Sequence, residues 1–294
     1  MENTVQFSTN NKKLFGILHI PDGDNSPDIV ILMVTGGPQT RVGSHRLYVQ
    51  LARYLCANGI ASFRFDYEGT GDSEGNWVGY KYAGASIQAA IDHLKSNILR
   101  SNPNMIIWSL CDGATASLVF AAQNPDRVQA LILCNPYLFH AESRAKTFLK
   151  YYYIRRVFEI SFWKKLISRQ FNVKNSVRSI VNFAKTSAGE MGQTDHSFDK
   201  NFFGLEYEIP LENVIGSILD LKQKVSYVLS TNDLAAKQFE ELIRSKRLKH
   251  VLTRGNHAIR YIKNADHTFS SREAKDFAFH TSLLLIREIR STRA

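Results

Sequence analysis

The sequence predicts an α/β fold built on one mostly parallel central sheet with helices on both faces. Three observations predict it. Apolar segments of strand length alternate with amphipathic helical segments along most of the chain, the order that builds parallel sheets through right-handed crossovers. The segments 28–34, 60–66, 104–108 and 130–134 are almost continuously apolar, as strands covered on both faces are. With 294 residues, 44% of them hydrophobic, the chain can bury one large core and still carry an insertion.

Residues 4–8 and 13–20 read as two strands around the turn Asn10-Asn11, closed by the loop Pro21-Asp22-Gly23-Asp24. The apolar run 28–34 ends at Thr35-Gly36-Gly37-Pro38. A helical pattern from 44 to 57 stops at Asn58-Gly59, a usual C-cap pair. After strand 60–66 comes the glycine-rich stretch 68–75, which lacks Gly-x-Gly-x-x-Gly spacing and does not open into a helix, so it reads as a tight surface loop. A helix over about 82–96 precedes strand 104–108, an alanine-rich helix over 114–124 and strand 130–134. The alternation breaks at Asn135-Pro136, resumes with strand 225–230, and finishes with strand 259–262 and a helix over 271–289. Residues 1–136 and 223–294 are therefore expected to form the α/β domain, and 137–222 an insertion.

The net charge of +10 is concentrated in that insertion: between 139 and 185, eleven Lys or Arg face two acids, Glu142 and Glu159. Ten aromatics are interleaved with these cations, among them Tyr151-Tyr152-Tyr153 and Phe162-Trp163. One reading is a helical cap whose aromatics pack and whose cations are solvated. The other is recruitment of something anionic: a membrane surface, an acyl carrier protein, coenzyme A or a lipid-phosphate-linked sugar. Nucleic acid is not indicated, because no reading motif accompanies the charge. Cys56, Cys111 and Cys134 are odd in number and not at metal-ligand spacing, which speaks against a disulfide framework or a zinc site. No motif calls for a cofactor. The N-terminus has no cationic region followed by an apolar stretch, and no window approaches the ~18 apolar residues of a membrane span. The expected location is cytoplasmic, with peripheral attachment at the inner face of the membrane as the alternative the basic insertion raises.

The most informative residues are Ser109-Leu110-Cys111-Asp112-Gly113-Ala114, between an apolar strand and an alanine-rich helix. They resemble the nucleophile elbow of α/β-hydrolases, where the residues two before and two after the nucleophile must be small for the backbones to pass. Centred on Cys111, those places hold Ser109 and Gly113; centred on Ser109, one would hold the β-branched Ile107. Cys111 is therefore the candidate nucleophile. Ser109 is a departure, since glycine is usual there. A thiol at an elbow needs a base and a group to orient the base. In this fold the order is nucleophile, acid, histidine. Asp233 follows strand 225–230 and His267 follows the last strand, as that order requires, although an Asp before a helix beginning near Leu234 also reads as an N-cap. Asp266 reads as a turn residue. Acyl transfer further needs two N–H donors for the oxyanion. Asp112 at the helix N-terminus supplies one, and Gly37 the other, because Pro38 has no N–H. Arg41 and His45 lie near that loop and are candidates for holding a polar group of the substrate.

The pieces Thr35-Gly36-Gly37-Pro38-Gln39, Arg41-Val42-Gly43-Ser44-His45-Arg46, Arg64-Phe65-Asp66-Tyr67-Glu68-Gly69-Thr70-Gly71-Asp72-Ser73 and Trp108-Ser109-Leu110-Cys111-Asp112-Gly113 together resemble the type 1 hydrolases associated with the exosortase A system. The resemblance implies an α/β-hydrolase fold with a helical cap, and a cytoplasmic hydrolase found with bacterial exopolysaccharide and protein-sorting loci. Dienelactone hydrolases are similar in using Cys, Asp and His. The expected activity is hydrolysis of a small-molecule ester or thioester by covalent acyl catalysis. Two alternatives stay open: an acyltransferase using the same machinery, and a non-catalytic protein that docks at the membrane through the basic insertion.

Overall fold

A computed structural model describes residues 1–23, 27–36, 39–77, 79–98, 103–138 and 209–291. Among these, eight strands form one sheet: β1 (Glu2–Thr9), β2 (Lys12–His19), β3 (Ile29–Val34), β4 (Ala61–Phe65), β5 (Asn104–Leu110), β6 (Ala130–Cys134), β7 (Lys224–Ser230) and β8 (His257–Ile262). Their order is β1-β2-β4-β3-β5-β6-β7-β8. β2 pairs antiparallel with both β1 and β4, and every pair from β4 to β8 is parallel. The β1–β2 hairpin turns at Asn10 and Asn11, both with positive φ (49° and 61°), the conformation that favours asparagine in a two-residue hairpin loop.

Among the described residues, six α-helices accompany the strands: α1 (Leu47–Ala57), α2 (Ala83–His93), α3 (Asp112–Gln123), α4 (Leu211–Asp220), α5 (Leu234–Ile243) and, after the last strand, α6 (Arg272–Ser291). The continuous apolar runs have a simple cause. Side chains alternate across a strand, and here both faces are covered. Ile29, Ile31 and Met33 of β3, with Ile106 and Trp108 of β5, join Leu51 and Leu55 of α1 and Leu283 and Ile286 of α6. Val30, Leu32 and Val34, with Ile107 and Leu131, join Ile87, Leu118, Ile218 and Phe239 from α2, α3, α4 and α5. The mostly parallel sheet clothed on both sides is the predicted architecture.

The insertion expected over 137–222 lies largely outside the described residues, and so does the cap reading attached to it. Its last part does not. Pro210 caps α4, and Val214, Ile215 and Ile218 of that helix are buried in the same cluster as the β5 and β6 side chains. Residues 209–222 thus complete the sheet's covering layer. Helix α2 ends at His93 and gives way to a wider π-type turn over Leu94–Ile98, where the sequence pattern predicted helix to 96. Among the described residues, no helix is long and apolar enough to cross a membrane.

Among the described residues, two histidines are enclosed in the fold: His19 on β2 is 0% exposed and His257 on β8 is 4% exposed. The Nε of Arg64 donates to Nε2 of His19 at 2.9 Å, so that nitrogen must stay unprotonated. The Tyr227 hydroxyl meets Nδ1 of His257 at 3.0 Å. Burial first, then the charges of Arg64 and Arg254 respectively, push each imidazole down to about 4. The unfolded chain therefore binds more protons than the native one between pH 6.5 and 4, and stability falls as the pH falls through that window. The shift corresponds to roughly 3 kcal/mol for each histidine. The urea midpoint is expected to drop steeply from pH 6.5 to 4, and His257→Gln to flatten that drop by about half. An unchanged slope in the variant would remove His257 from the account.

Candidate active site

Cys111 occupies the corner between β5 and α3 with φ 61° and ψ −131°. A non-glycine residue held there costs on the order of 1–3 kcal/mol and persists only where its surroundings fix it. They do: the Cys111 N–H donates to the Cys134 carbonyl at 3.1 Å, and the Cys111 carbonyl accepts from Ala114 at 3.0 Å and from Tyr137 at 3.3 Å. Gly113 touches the end of β3 so closely that a Cβ would sit 2.2 Å from the Thr35 carbonyl oxygen. Gly36, directly after Thr35, is pressed against the same corner, where a Cβ would lie 2.7 Å from the Cys111 Cβ. The demand for small residues is thus met by Gly113 two positions after Cys111 and by Gly36 across from it. Ser109 is fully buried on β5, and its hydroxyl has no hydrogen-bond partner among the described residues.

Because β5, β7 and β8 are parallel, the loops that follow them open on one edge of the sheet. Asp233 comes three residues after β7 and His267 five after β8. The two meet, with His267 Nδ1 2.8 Å from Asp233 Oδ2. Asp233 also accepts from the Ala235 and Ala236 amides at 3.2 and 3.0 Å, so it caps α5 and holds the imidazole at once. Asp266 instead receives the Ser270 N–H at 2.8 Å and forms the turn into α6.

The electrostatics differ for Cys111 and His267. Burial pushes the Cys111 thiol up, and the Asp112 carboxylate pushes it further, against a smaller opposing pull from the Asp112 amide. The thiol is 3.4 Å from Asp112 Oδ1, to which it donates. It is therefore protonated at neutral pH, despite the helix N-terminus beside it. For His267, burial works to lower the pKa, but the hydrogen bond and charge of Asp233, with Asp112 and Asp266 adding, outweigh it and leave it above the ordinary histidine value.

Asn135 was not singled out by sequence, yet it joins the loops. Fully buried after β6, with φ 42°, it donates from Nδ2 to the His267 carbonyl at 2.8 Å and to Ser230 Oγ at 2.9 Å, and its Oδ1 accepts the Ser230 N–H at 2.7 Å. A polar, turn-forming residue directly after a fully apolar strand and before a proline was the available signal.

The remaining candidates divide. Gly37 lies outside the described residues. Gly36 before it is described, and a Cβ there would be 3.2 Å from the Asp112 nitrogen, so the exit of β3 runs along the elbow amide. Arg41, read as a substrate contact, is taken up by the scaffold. Its backbone N–H donates to Asp66 Oδ1 at 2.5 Å, and its guanidinium bridges Asp66 and Asp72. Two carboxylates hold that charge because Asp66 is completely buried at the end of β4 and needs a partner. His45 is exposed, with φ 51°, at the entry to α1. Among the described residues, no group of three or more His, Cys, Asp or Glu is arranged to hold a metal ion.

Residues 26–182 match the family described as serine aminopeptidase, S33. No curated protein matches the sequence. Solved structures with a similar fold include the Pyrococcus furiosus esterase PF2001 (15% identity, TM-score 0.64, covering 98% of this chain and 91% of that one). Est1E from Butyrivibrio proteoclasticus, solved with ferulic acid bound, is similar at 17% identity and TM-score 0.64, over 98% of this chain and 99% of its own. A dienelactone hydrolase from Anabaena variabilis is similar at 15% identity and TM-score 0.59, over 96% of this chain and 95% of its own. These likenesses identify the α/β-hydrolase fold.

Proposed function

Because this chain belongs to the serine aminopeptidase, S33 family and has the α/β-hydrolase fold, we propose that it cleaves an ester or thioester by covalent acyl catalysis, with Cys111 standing where a serine would. The observation that carries this reading is the clamped, positive-φ Cys111 on the sheet edge that also bears the His267–Asp233 pair. With the thiol protonated at rest, the attack needs a base at the moment of reaction. His267 Nε2 takes the Sγ proton as sulfur bonds to the carbonyl carbon, while Asp233 holds Nδ1 and stabilises the imidazolium. The oxyanion accepts hydrogen bonds from the Asp112 and Gly37 amides. Imidazolium then protonates the departing alkoxide or thiolate, leaving acyl-Cys111. Water, deprotonated by His267, adds to the acyl carbon, and the thiol leaves with the proton returned. A sugar hydroxyl in place of water would turn the same intermediate to acyl transfer.

The anionic partner of the basic insertion and an association with exopolysaccharide systems belong to this proposal, and are supported by the charge of 139–185 and by the motif resemblance alone. The test of the chemistry is direct. Purified protein incubated with p-nitrophenyl butyrate is expected to show a butyryl adduct on Cys111 by peptide mass spectrometry, with continuing nitrophenol release, and Cys111→Ala to show neither. Folded wild-type protein that alkylates at Cys111 but gives no adduct and no release would favour the non-catalytic docking protein.

A further inference from the structure

The glycine-rich loop between β4 and α2 takes no part in the proposed reaction, yet it is built to hold two side chains at one place. Its glycines are needed. A Cβ on Gly69 (φ 75°) would lie 2.0 Å from the Trp77 nitrogen, and one on Gly75 (φ 97°) would lie 2.4 Å from Glu68 Cγ and 2.6 Å from its Oε1. The Gly69 N–H closes the loop on the Glu74 carbonyl at 3.0 Å. Glu68 and Trp77, at the two ends of the loop, are thereby brought to a pocket of about 330 Å³. Tyr67, Ala83 and Ser86, all buried, line it together with Trp77, Tyr82, Glu68 and the hairpin residue Asn10. The aromatic wall is rigid. Trp77 packs edge-on against Tyr80 at 4.9 Å and against Tyr67 at 5.6 Å, and the Tyr67 hydroxyl is fixed to the Thr35 carbonyl at 3.0 Å. Tyr82 is half exposed and presents its ring to solvent, and the Lys81 ammonium already sits 5.4 Å from its centroid. The Glu68 backbone N–H donates to Ser86 Oγ at 3.4 Å, while its carboxylate has no ion pair or hydrogen bond among the described residues.

The Glu68 carboxylate has no counterion among the described residues, and it shares the pocket with the rings of Tyr67, Trp77 and Tyr82. That combination favours a cation whose charge is spread over alkyl groups, because such an ion loses little hydration on entry and gains from each ring face. A neutral sugar would stack on Trp77 but leave the Glu68 charge without a counterion. We propose that the pocket between the 68–77 loop and α2 is a binding site for a quaternary or N-methylated ammonium group, separate from Cys111.

Calorimetric titration of the full-length protein with choline tests this. Saturable binding in the millimolar range or tighter is expected, unchanged in Cys111→Ala. Glu68→Gln and Tyr82→Ala should each weaken it about tenfold while leaving p-nitrophenyl butyrate hydrolysis as in the wild type. 3,3-Dimethyl-1-butanol, which has the same shape without the charge, should not bind. Choline binding that is absent, or that survives both variants, overturns the assignment, as does equal binding of the neutral analogue. Binding of glucose but not choline would make the pocket a sugar site instead. None of these outcomes depends on whether Cys111 is the nucleophile.

Discussion

Asp233→Asn is expected to lower kcat/KM for p-nitrophenyl butyrate by about 10³–10⁴-fold with the protein still folded. The variant separates the helix cap that Asp233 forms from the catalytic role proposed for it. As an N-cap it accepts the Ala235 and Ala236 amides, and asparagine caps helices as well as aspartate does, so the loss of stability should stay within about 1 kcal/mol. As the partner of His267 Nδ1 it supplies a negative charge and an acceptor, and an amide supplies neither reliably. The imidazole is then free to take the tautomer with its proton on Nε2, where it cannot accept the Cys111 proton. The pH dependence gives a second readout. With Asp233 present, the His267 pKa is raised, so the acidic limb of kcat/KM lies above the ordinary histidine value, activity being lost as the pH falls and the base is protonated. The thiol, pushed up, adds no limb below its ordinary range. In the variant the acidic limb moves to lower pH. Measuring kcat/KM from pH 5 to 9 in both proteins decides the matter, and an unshifted limb with unchanged rate would dismiss the pair as structural.

The fold could be read from sequence because its strands are buried on both faces. β3 puts Ile29, Ile31 and Met33 on one side and Val30, Leu32 and Val34 on the other, and nothing but an apolar run satisfies both. The elbow was legible for a similar reason: few residue types tolerate the Gly113 contact. Helix α4 was missed although Pro210 and the spacing of Val214, Ile215 and Ile218 were visible, because the segment adjoins a long stretch that breaks the strand–helix alternation. For Asp233, sequence offered capping and orientation as competing roles, and a single carboxylate turned out to face both sets of donors. Arg41 shows the opposite limit. Its pairing with Asp66 and Asp72 joins three loop positions whose proximity is a product of the tertiary fold, and no local pattern announces it. Asn135 is similar: its contacts reach Ser230 and His267, which are close only because β6, β7 and β8 are parallel neighbours.

Gly113→Ala should destabilise the protein by about 2–3 kcal/mol and lower turnover further than that loss explains. The added methyl would lie 2.2 Å from the Thr35 oxygen, 2.6 Å from the Thr35 carbonyl carbon and 2.8 Å from the Val34 oxygen. All three are backbone atoms at the end of a central strand, so no side-chain rotation relieves the contact. The same carbonyls carry buried hydrogen bonds, from Tyr48 to Val34 at 3.1 Å and from Tyr67 to Thr35 at 3.0 Å, and moving β3 aside strains both. Gly36, next in the chain after Thr35, is already pressed onto Leu110 and Cys111, so β3 and the elbow meet at two close approaches and must separate at both. Any separation of α3 from β3 shifts the Asp112 amide away from the loop after β3, and with it the two donors proposed for the oxyanion. Gly216 in α4 is the matched control. It has nothing within 4 Å of a built Cβ, so Gly216→Ala should be neutral or stabilising by up to about 1 kcal/mol through helix propensity. Urea midpoints and kcat/KM for the two variants measure the contrast, and a Gly113→Ala protein as stable as the Gly216→Ala one would mean that the elbow does not make this close approach.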